Sequence, residues 1–173
     1  MTAPPTIVLV MGVSGAGKTT VGEALARRLG WTFQEGDAFH PPANIAKMAS
    51  GHPLDDADRA PWLASVEAWI SDQLAAGRSG VIACSALKKA YRHALAAGRK
   101  DVVLVYLTGG AGLIAERLQA RRGHFMPPAL LASQLADLEA PDPDERAIDV
   151  DIAQPVAAQV DHIVRALAER RRP

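Results

Sequence analysis

Residues 6–30, TIVLVMGVSGAGKTTVGEALARRLG, decide how the rest of the chain is interpreted. The segment 6–12 is an apolar run rich in β-branched residues, which predicts a buried strand. Residues 18–29 repeat apolar side chains on one helical face, and Gly30 follows as a stop signal, so a helix is predicted there. Between the two lies GVSGAG, with three glycines in six residues. An ordinary turn does not need that much backbone freedom, so we expect a ligand to approach the main chain closely.

Residues 12–19 match the phosphate-binding motif G-x-x-x-x-G-K-[ST] at every fixed position. Glycines let such a loop wrap a polyphosphate with successive backbone N–H groups pointing inward, and the following helix adds the positive end of its dipole. Lys18 is expected to reach the β- and γ-phosphates, and the Thr19 hydroxyl is expected to ligate Mg²⁺. The predicted nucleotide-binding residues of this loop are Gly12, Val13, Ser14, Gly15, Ala16, Gly17, Lys18, Thr19 and Thr20.

Strand-like apolar runs alternate with helical patterns along the whole chain, which predicts one α/β domain spanning residues 1–173. A parallel sheet with helices on both faces and right-handed crossovers follows from that alternation. Ligands bind at the carboxyl ends of the strands in such sheets, so the loops that follow the strands are the candidate sites. Further strands are expected at 31–35, 80–86, 102–108 and 147–153, and helices at 43–49, after Asp58 with Pro61 in the first turn, and at 87–97, 112–121, 129–139 and 155–170.

The composition argues against several functional classes. Lys plus Arg and Asp plus Glu number 19 each among 173 residues, so the formal net charge is zero. That balance argues against nucleic-acid coating and against polybasic membrane binding. The lone Cys84 cannot form an internal disulfide, which suits a reducing cytosol, and the N-terminal segment lacks the pattern of a signal peptide. We therefore expect a cytoplasmic protein with neither a nucleic acid nor a membrane as partner.

Two further observations favour a small-molecule kinase among nucleotide-binding proteins. The chain has no N-K-x-D-like segment, which a switch GTPase would use to recognise guanine. The predicted strands at 80–84 and 102–107 do not end in an aspartate of the Walker-B kind. Both observations disfavour a switch GTPase or a motor protein. In a kinase the acceptor site supplies an acid, and Asp37, at the end of the second strand, could accept or orient the proton of an attacking hydroxyl. An Asx-turn is the alternative explanation for Asp37, and a rigid turn with a surface histidine explains His40 equally well.

Several longer segments together resemble gluconokinase of the P-loop carbohydrate-kinase type. These segments are GVSGAGKTT (12–20), EGDAFHPPANIAKMASGHPLDDADRAPWL (35–63), CSALKKAYR (84–92), RLQARRGHFMP (117–127) and VDIAQP (150–155). The resemblance implies ATP-dependent transfer of the γ-phosphate to the 6-hydroxyl of D-gluconate, giving 6-phospho-D-gluconate. It also implies a nucleoside-monophosphate-kinase fold with a five-stranded parallel sheet, a small mobile lid at about 117–128, and a homodimer.

The resemblance also implies roles for residues on the acceptor side. Asp37 matches the acid near the acceptor hydroxyl, with His40 in the same segment, and Arg59 would hold the substrate carboxylate or a hydroxyl. A guanidinium suits a planar carboxylate because it can bond bidentately, although a solvated charge near a helix start is the alternative for Arg59. Lys88 and Arg92 lie four residues apart after a predicted strand, so both are expected to attract an anionic sugar acid. A basic solvated helix face remains their alternative explanation.

The expected lid supplies the remaining candidate residues. In lid-bearing kinases of this fold one arginine stacks on adenine and another touches the transferred phosphate, which indicates Arg117 for adenine and Arg121 for catalysis, with Arg122 as a substitute for Arg121. Cations at a helix C-terminus also complement its dipole without any ligand. His124, with Phe125, is expected to close over the substrate, and Gln154 is expected to border the adenine.

Three other functions stay open from the sequence. Shikimate kinase shares the expected fold and phosphorylates a hydroxy acid, but it would be expected to carry a glycine triplet where this chain has CSALKK. Adenylylsulfate kinase has a similar phosphate loop but a different segment after the second strand. A non-catalytic ATP-binding module is the alternative outside enzymes, and the apparent acid and cation set argues against it.

Overall fold

The structure is a computed structural model that describes residues 3–96, 98–120 and 128–172. Five strands form one parallel sheet in the order β2-β3-β1-β4-β5. The strands are β1 (Ile7–Met11), β2 (Thr32–Glu35), β3 (Gly80–Ala83), β4 (Val102–Thr108) and β5 (Ile148–Asp151). The helices are α1 (Lys18–Leu29), α2 (Pro42–Ala49), α3 (Asp56–Ala75), α4 (Lys89–Ala96), α5 (Ala111–Ala120), α6 (Pro128–Asp137) and α7 (Val156–Arg170), with short 3₁₀ turns at Gly36–Phe39 and Pro143–Glu145.

The central strand β1 is fully buried because apolar layers cover both faces of the sheet. Its residues alternate between two clusters: Val8 and Val10 pack with α1 and α7, whereas Ile7, Leu9 and Met11 pack with α3 and α4. Strands buried on both faces have continuous rather than alternating hydrophobicity, as the segment IVLVM shows. This three-layer arrangement confirms the predicted α/β fold, a P-loop NTPase fold with a five-stranded parallel sheet.

Helix α3 corrects one sequence expectation, since it begins at Asp56 and not after Asp58. The Asp55 side chain accepts a hydrogen bond from the Asp58 N–H at 2.7 Å, and the Asp58 side chain accepts one from the Asp55 N–H at 3.0 Å. This reciprocal capping satisfies backbone donors that the first turn would otherwise expose. Pro61 consequently lies inside the helix, beyond the first turn.

The parallel order brings four loops to one edge of the sheet. The loop from β1 to α1, the 3₁₀ turn after β2, the segment from Cys84 to Lys88 after β3 and the segment after β4 all follow the carboxyl ends of neighbouring strands. Most of the expected lid, at 121–127, lies outside the described residues. Among the helices in the described part of the chain, none combines the length and the apolar character needed to cross a bilayer.

Candidate active site

The loop between β1 and α1 has a backbone that only glycine adopts easily. Gly12, Gly15 and Gly17 have φ values of 154°, 86° and 96°, all on the positive side. A Cβ at Gly15 would stand 2.8 Å from Leu118 Cγ and 3.2 Å from the Ile114 carbonyl oxygen, so α5 also leaves no room for a side chain there. Gly17 caps α1, which therefore begins at Lys18 with its N-terminal amides beside the loop. The loop thus combines the positive-φ glycines and the following helix N-terminus that the predicted phosphate cradle requires, and its binding of phosphate stays a prediction.

Polar side chains next to this loop connect it to the end of β2. The Lys18 ammonium donates a hydrogen bond to the Val13 carbonyl oxygen at 3.1 Å, so it lies across the loop. The Thr19 hydroxyl donates to a carboxylate oxygen of Glu35, the last residue of β2. A hydroxyl and a carboxylate are thereby held together beside the cradle, and oxygen ligands are the ones that Mg²⁺ prefers.

A cavity of about 320 Å³ opens between the phosphate loop and the acceptor side. Lys18 and Asp37 both line it, so the ammonium and the predicted catalytic carboxylate face the same space. Asp37 lies in the 3₁₀ turn after β2, and its side chain is 66% exposed, which leaves the carboxylate accessible to a ligand. The remaining lining residues are Ser14, His40, Ile45, Met48, Pro53, Leu54, Arg59, Trp62, Ser85, Leu87, Tyr91, Leu130, Ser133 and Gln134.

His40 forms part of this lining and is held by an aromatic stack. Its ring packs 4.5 Å from that of Trp62 at an interplanar angle of 11°, and the Trp62 indole N–H donates to the Gly36 carbonyl oxygen. His40 Nε2 lies 4.0 Å from Asp37 Oδ1. Burial lowers the pKa of His40 from its ordinary value, and the nearby Asp37 carboxylate only partly offsets that effect. The imidazole is therefore neutral near pH 7 and can both donate and accept a hydrogen bond.

Arg59 reaches the cavity from the first turns of α3 and is held on two sides. Its Nη1 donates to the Tyr91 hydroxyl at 2.9 Å, and its Nη2 donates to Asp137 Oδ2 at 3.0 Å. The Tyr91 hydroxyl in turn donates to the Asp56 carboxylate. Burial opposes the charge on Arg59, but the bonds to Tyr91 and Asp137 outweigh it and raise its pKa. The guanidinium stays charged and oriented at the wall of the cavity, as the interpretation of Arg59 as a carboxylate-binding residue requires.

Lys88 lies one step away from the cavity. Its ammonium pairs with Asp56 at 3.0 Å and sits 5.6 Å from the ring centroid of Tyr91, which is itself a lining residue. The hydrogen bond with Asp56 raises the pKa of Lys88. Through Asp56 and Tyr91, this lysine belongs to the network that holds Arg59, so its expected direct contact with substrate remains a proposal.

Arg92 does not belong to the substrate set, contrary to the sequence prediction. Its side chain is 1% exposed, and Nε and Nη2 bond to the two carboxylate oxygens of Glu145 at 2.6 and 3.1 Å. Its Nη1 donates to the carbonyl oxygens of Ala86 and Leu87 at 3.0 and 2.9 Å. All the terminal nitrogens are thus used inside the protein. Arg92 fixes the loop after β3, in which Ala86 has a strained φ of 42°.

Arg117 connects the end of β5 with the phosphate loop. Arg117 Nη2 donates to the Ile152 carbonyl oxygen at 2.5 Å, and its Nη1 lies 3.9 Å from the position that a Cβ on Gly17 would take. Gln154, two residues beyond Ile152, accepts a hydrogen bond on its carbonyl oxygen from the Gln159 side chain. Arg117 therefore connects the loop with Ile152, whereas the contact of Gln154 is with α7. The predictions for Arg121, Arg122, His124 and Phe125 lie outside the described residues.

Several residues of the site were not predicted from the sequence, among them Glu35, Tyr91, Gln134 and Asp137. Glu35 bonds to Thr19, and Tyr91 bonds to Arg59. The sequence could have indicated them, because Glu35 lies two residues before the candidate Asp37 and Tyr91 lies three residues after the candidate Lys88. Gln134 and Asp137 come from α6, and their spacing in an ordinary amphipathic helix gives no signal of a site. Gln134 Oε1 accepts a hydrogen bond from the Ser14 N–H at 2.6 Å.

The described part of the chain supports neither a metal site made of protein side chains alone nor a reactive cysteine. Within residues 3–96, 98–120 and 128–172, no cluster of three or more His, Cys, Asp or Glu side chains could hold a metal by itself. Burial raises the pKa of the Cys84 thiol to about 12, so the thiolate is not populated near neutrality. Cys84 is a buried packing residue.

Comparisons with known proteins show which family the chain resembles in sequence and in overall fold. Residues 7–141 match the model of a family described as an AAA domain. The gluconokinase of Gluconobacter oxydans is 56% identical over 146 residues, which cover 84% of this chain and 82% of that protein. The crystal structure of a gluconokinase from Sinorhizobium meliloti superposes with a TM-score of 0.83 at 48% identity, covering 96% of this chain and 93% of that one.

Shikimate kinase was one of the alternative functions that the sequence left open, and one such enzyme is similar to this chain in fold. The structure of the enzyme from Acinetobacter baumannii superposes with a TM-score of 0.63 at 23% identity, over 99% of this chain and 97% of that one. A likeness at that identity shows a shared fold and no more. These two gluconokinases match most of the chain at 56% and 48% identity, and the chain belongs to the gluconokinase family of P-loop kinases.

Proposed function

We propose that the chain is an ATP-dependent gluconokinase, which transfers the γ-phosphate of ATP to the 6-hydroxyl of D-gluconate to give 6-phospho-D-gluconate and ADP. One observation carries the mechanism: Lys18 of the phosphate loop, Asp37 and Arg59 line the same cavity. A cation for the transferred phosphate, a carboxylate for the attacking hydroxyl and a guanidinium for the substrate's acid group therefore share one space. Those are the parts that in-line phosphoryl transfer needs.

The nucleotide would bind with its phosphates in the loop from Gly12 to Thr20. The backbone amides and the N-terminus of α1 would bind the β-phosphate region, and Lys18 would exchange its bond to the Val13 carbonyl oxygen for phosphate oxygens. Arg117 and Gln154 would border the adenine, as the family resemblance implies, and the bond from Arg117 to the Ile152 carbonyl oxygen would hold the guanidinium beside the loop.

Magnesium fits the oxygen donors beside the loop. The Thr19 hydroxyl and the Glu35 carboxylate would hold it, with the phosphates completing its ligand set. When bound, the ion neutralises charge that develops on the transferred phosphate. Glu35 takes the place of the acid that the sequence lacks at the end of β3 and β4. Its position next to Asp37 puts the metal-holding and the base carboxylates on one turn.

The acceptor would lie between Arg59 and Asp37. Arg59 would bind the carboxylate of gluconate, whereas Asp37 would orient the 6-hydroxyl and take its proton as the oxygen attacks. His40, neutral and stacked on Trp62, would hydrogen-bond a sugar hydroxyl, and Lys88 would add positive potential at this end. The carboxylate at C1 and the hydroxyl at C6 are the two ends of gluconate, so these two anchors set the substrate's direction and length.

Residues 117–128 would act as the small lid of the single domain. Arg121 would stabilise the charge of the transferred phosphate, with Arg122 as the alternative, and His124 and Phe125 would cover the substrate. Excluding water in this way would prevent wasteful hydrolysis of ATP. The family resemblance supports this role.

A coupled assay of ADP release with several acceptors tests the function. We expect Mg²⁺-dependent ADP release with D-gluconate, and far slower release with shikimate, adenylylsulfate, glucose or no acceptor. The identity to gluconokinases disfavours the shikimate-kinase alternative, and a rate that exceeded the gluconate rate with shikimate would reverse that preference. A rate of ADP release that is the same with every acceptor and without one would indicate an ATPase. No ADP release under any condition would indicate a binding module.

The cellular setting and assembly belong to the same proposal. We expect a cytoplasmic protein, because a lone cysteine suits a reducing compartment, and a homodimer, because the family resemblance implies one. We expect neither nucleic acid nor membrane as partner, because the net charge is zero. Light scattering after size exclusion would give the mass of the assembly, and a mass near the 18.3 kDa of one chain would contradict the dimer.

A further inference from the structure

Helix α6 contacts the two ends of the cavity through two polar side chains. Gln134 bonds to the backbone N–H of Ser14 at 2.6 Å on the phosphate loop, and Asp137 bonds to Arg59 at 3.0 Å on the acceptor side. The same helix lines the cavity between these points with Leu130 and Ser133. One helix thus bridges the nucleotide side and the acceptor side of the site.

The contact at Ser14 uses a group that an anion would need. A backbone N–H in a phosphate-binding loop points its hydrogen inward, and each N–H makes one good hydrogen bond at a time. Here the acceptor is the side-chain oxygen of Gln134, a residue 120 positions away in the chain. A phosphate oxygen can bond to this N–H only after the Gln134 side chain has moved.

The contact at Arg59 has the same character. The Asp137 carboxylate accepts from Nη2 of the guanidinium, while Nη1 is committed to the Tyr91 hydroxyl. Both partners are largely shielded, with side-chain exposures of 12% for Arg59 and 27% for Asp137. A substrate carboxylate that bonds to the same edge of the guanidinium must therefore displace Asp137.

The remaining attachment of α6 is weak enough to allow such a displacement. Among the side chains that the structure describes in α6, from Leu130 to Asp137, Leu130 is well buried, whereas Leu131 and Leu135 are only partly buried against the core. Segments with few buried side chains open at low free energy compared with core elements. The two polar contacts therefore contribute a substantial part of what holds the helix in place.

We infer that α6 competes with both ligands: Gln134 occupies a phosphate-binding amide and Asp137 occupies the carboxylate-binding arginine, so that binding of one ligand facilitates binding of the other. The first ligand to bind breaks one polar anchor and loosens the helix. The second ligand then meets a smaller cost when it breaks the other anchor. This inference rests on the proposed function, because it takes ATP and gluconate as the two ligands.

Calorimetric titrations measure this coupling directly. The dissociation constant of gluconate is determined with and without a saturating non-hydrolysable ATP analogue, in the presence of Mg²⁺, and the reciprocal experiment is done with the analogue. For the native chain we expect each ligand to tighten the other by the same factor, on the order of 10-fold. In the double variant Gln134→Ala/Asp137→Asn that factor should fall to about 1, because neither ligand then has to displace a polar contact made by α6.

The single variants separate the two anchors. Asp137→Asn should bind gluconate several-fold tighter, and Gln134→Ala should bind the analogue several-fold tighter, because each loses an internal competitor. Tighter binding is the decisive sign, since a residue that only supports the site would weaken binding when it is replaced. Gln73→Ala and Asp161→Asn are matched controls, because each removes a surface hydrogen bond elsewhere and should change neither affinity nor coupling.

The results that overturn the inference are distinct from those that overturn the function. Unchanged or weaker affinity in both single variants, or an unchanged coupling factor in the double variant, would refute the role of α6 while gluconate binding stands. Absence of any gluconate binding by the native chain would instead refute the proposed substrate, and the inference with it. If Asp137→Asn fails to give a cooperative thermal melt, Gln134→Ala alone decides the matter through affinity for the analogue.

Discussion

Replacement of Arg92 by methionine should destabilise the protein severely and leave its affinity for gluconate nearly unchanged. Arg92 is 1% exposed and Glu145 is 13% exposed, so the substitution leaves a shielded carboxylate without its cation. It also removes the donor that serves the carbonyl oxygens of Ala86 and Leu87. Breaking one side of a buried ion pair costs about 3–5 kcal/mol, and the residual exposure of Glu145 favours the lower end.

The expected loss of thermal stability follows from that free energy. A loss of about 3 kcal/mol lowers the melting temperature of a domain of this size by roughly 6–12 °C. Differential scanning calorimetry gives this shift, and the KM for gluconate is then measured well below the new melting temperature. Arg28→Met is the matched control, because the Arg28–Asp161 pair is more than half exposed and should contribute about 0–1 kcal/mol.

Steady-state kinetics distinguish the structural role from substrate binding. An arginine that bonds the substrate's carboxylate would contribute about 1.5–3 kcal/mol, so its loss would raise KM by roughly 10- to 100-fold. We expect a change below about 3-fold, and Glu145→Gln should likewise destabilise the protein without altering KM. A melting temperature close to that of the native chain together with a large rise in KM would refute the structural assignment of Arg92.

Four other predictions test separate parts of the site. Asp37→Asn should lower kcat by about 100-fold or more with an unchanged melting temperature, and near-normal turnover would remove Asp37 from the chemistry. Glu35→Gln should raise the Mg²⁺ concentration for half-maximal rate by about 10-fold; an unaltered Mg²⁺ titration would argue against a metal-holding role. Gly15→Ala should lower the free energy of unfolding in denaturant by about 2–4 kcal/mol, because the strain of a positive φ adds to the close contact with Leu118. Gly30→Ala also has a positive φ but has open space around it, so it should lower this free energy by about 1–2 kcal/mol. Equal losses in the two variants would contradict the prediction. Because burial lowers the pKa of His40 below 6.5, the unfolded chain binds more protons than the folded one, and the free energy of unfolding should fall as the pH drops below 6.5. His40→Gln should make that fall shallower. Parallel plots of unfolding free energy against pH for the two proteins would contradict the prediction.

The phosphate loop and most of the fold could be predicted from the sequence because local signals determine them. Apolar runs specify buried strands, and the spacing of Gly12, Gly17 and Lys18 has a single backbone explanation when a strand precedes it and a helix follows. The start of α3 was misplaced because Asp55 and Asp58 both qualify as caps. The reciprocal bonds between them show that Asp55 is the cap outside the helix, whereas Asp58 lies in its first turn.

The acceptor side was harder to predict because its contacts join distant parts of the chain. The spacing of Lys88 and Arg92 put both cations near the site, but it could not show that Arg92 faces Glu145, which is 53 positions later. Asp137 lies 78 positions from Arg59, and nothing in the pattern of α6 distinguishes it from a solvated helix residue. Long-range pairing of charges depends on how helices pack, which periodicity alone does not encode.

The most direct test of the account is the ³¹P NMR spectrum of the chain incubated with ATP, Mg²⁺ and D-gluconate. Transfer to the 6-hydroxyl creates a phosphate monoester on a CH₂ group, so the new resonance should be a triplet from coupling to two protons, growing in step with ADP. A doublet would place the phosphate on a secondary hydroxyl and contradict the proposed direction of the substrate between Arg59 and Asp37. Release of inorganic phosphate alone, with no ester, would contradict the kinase itself.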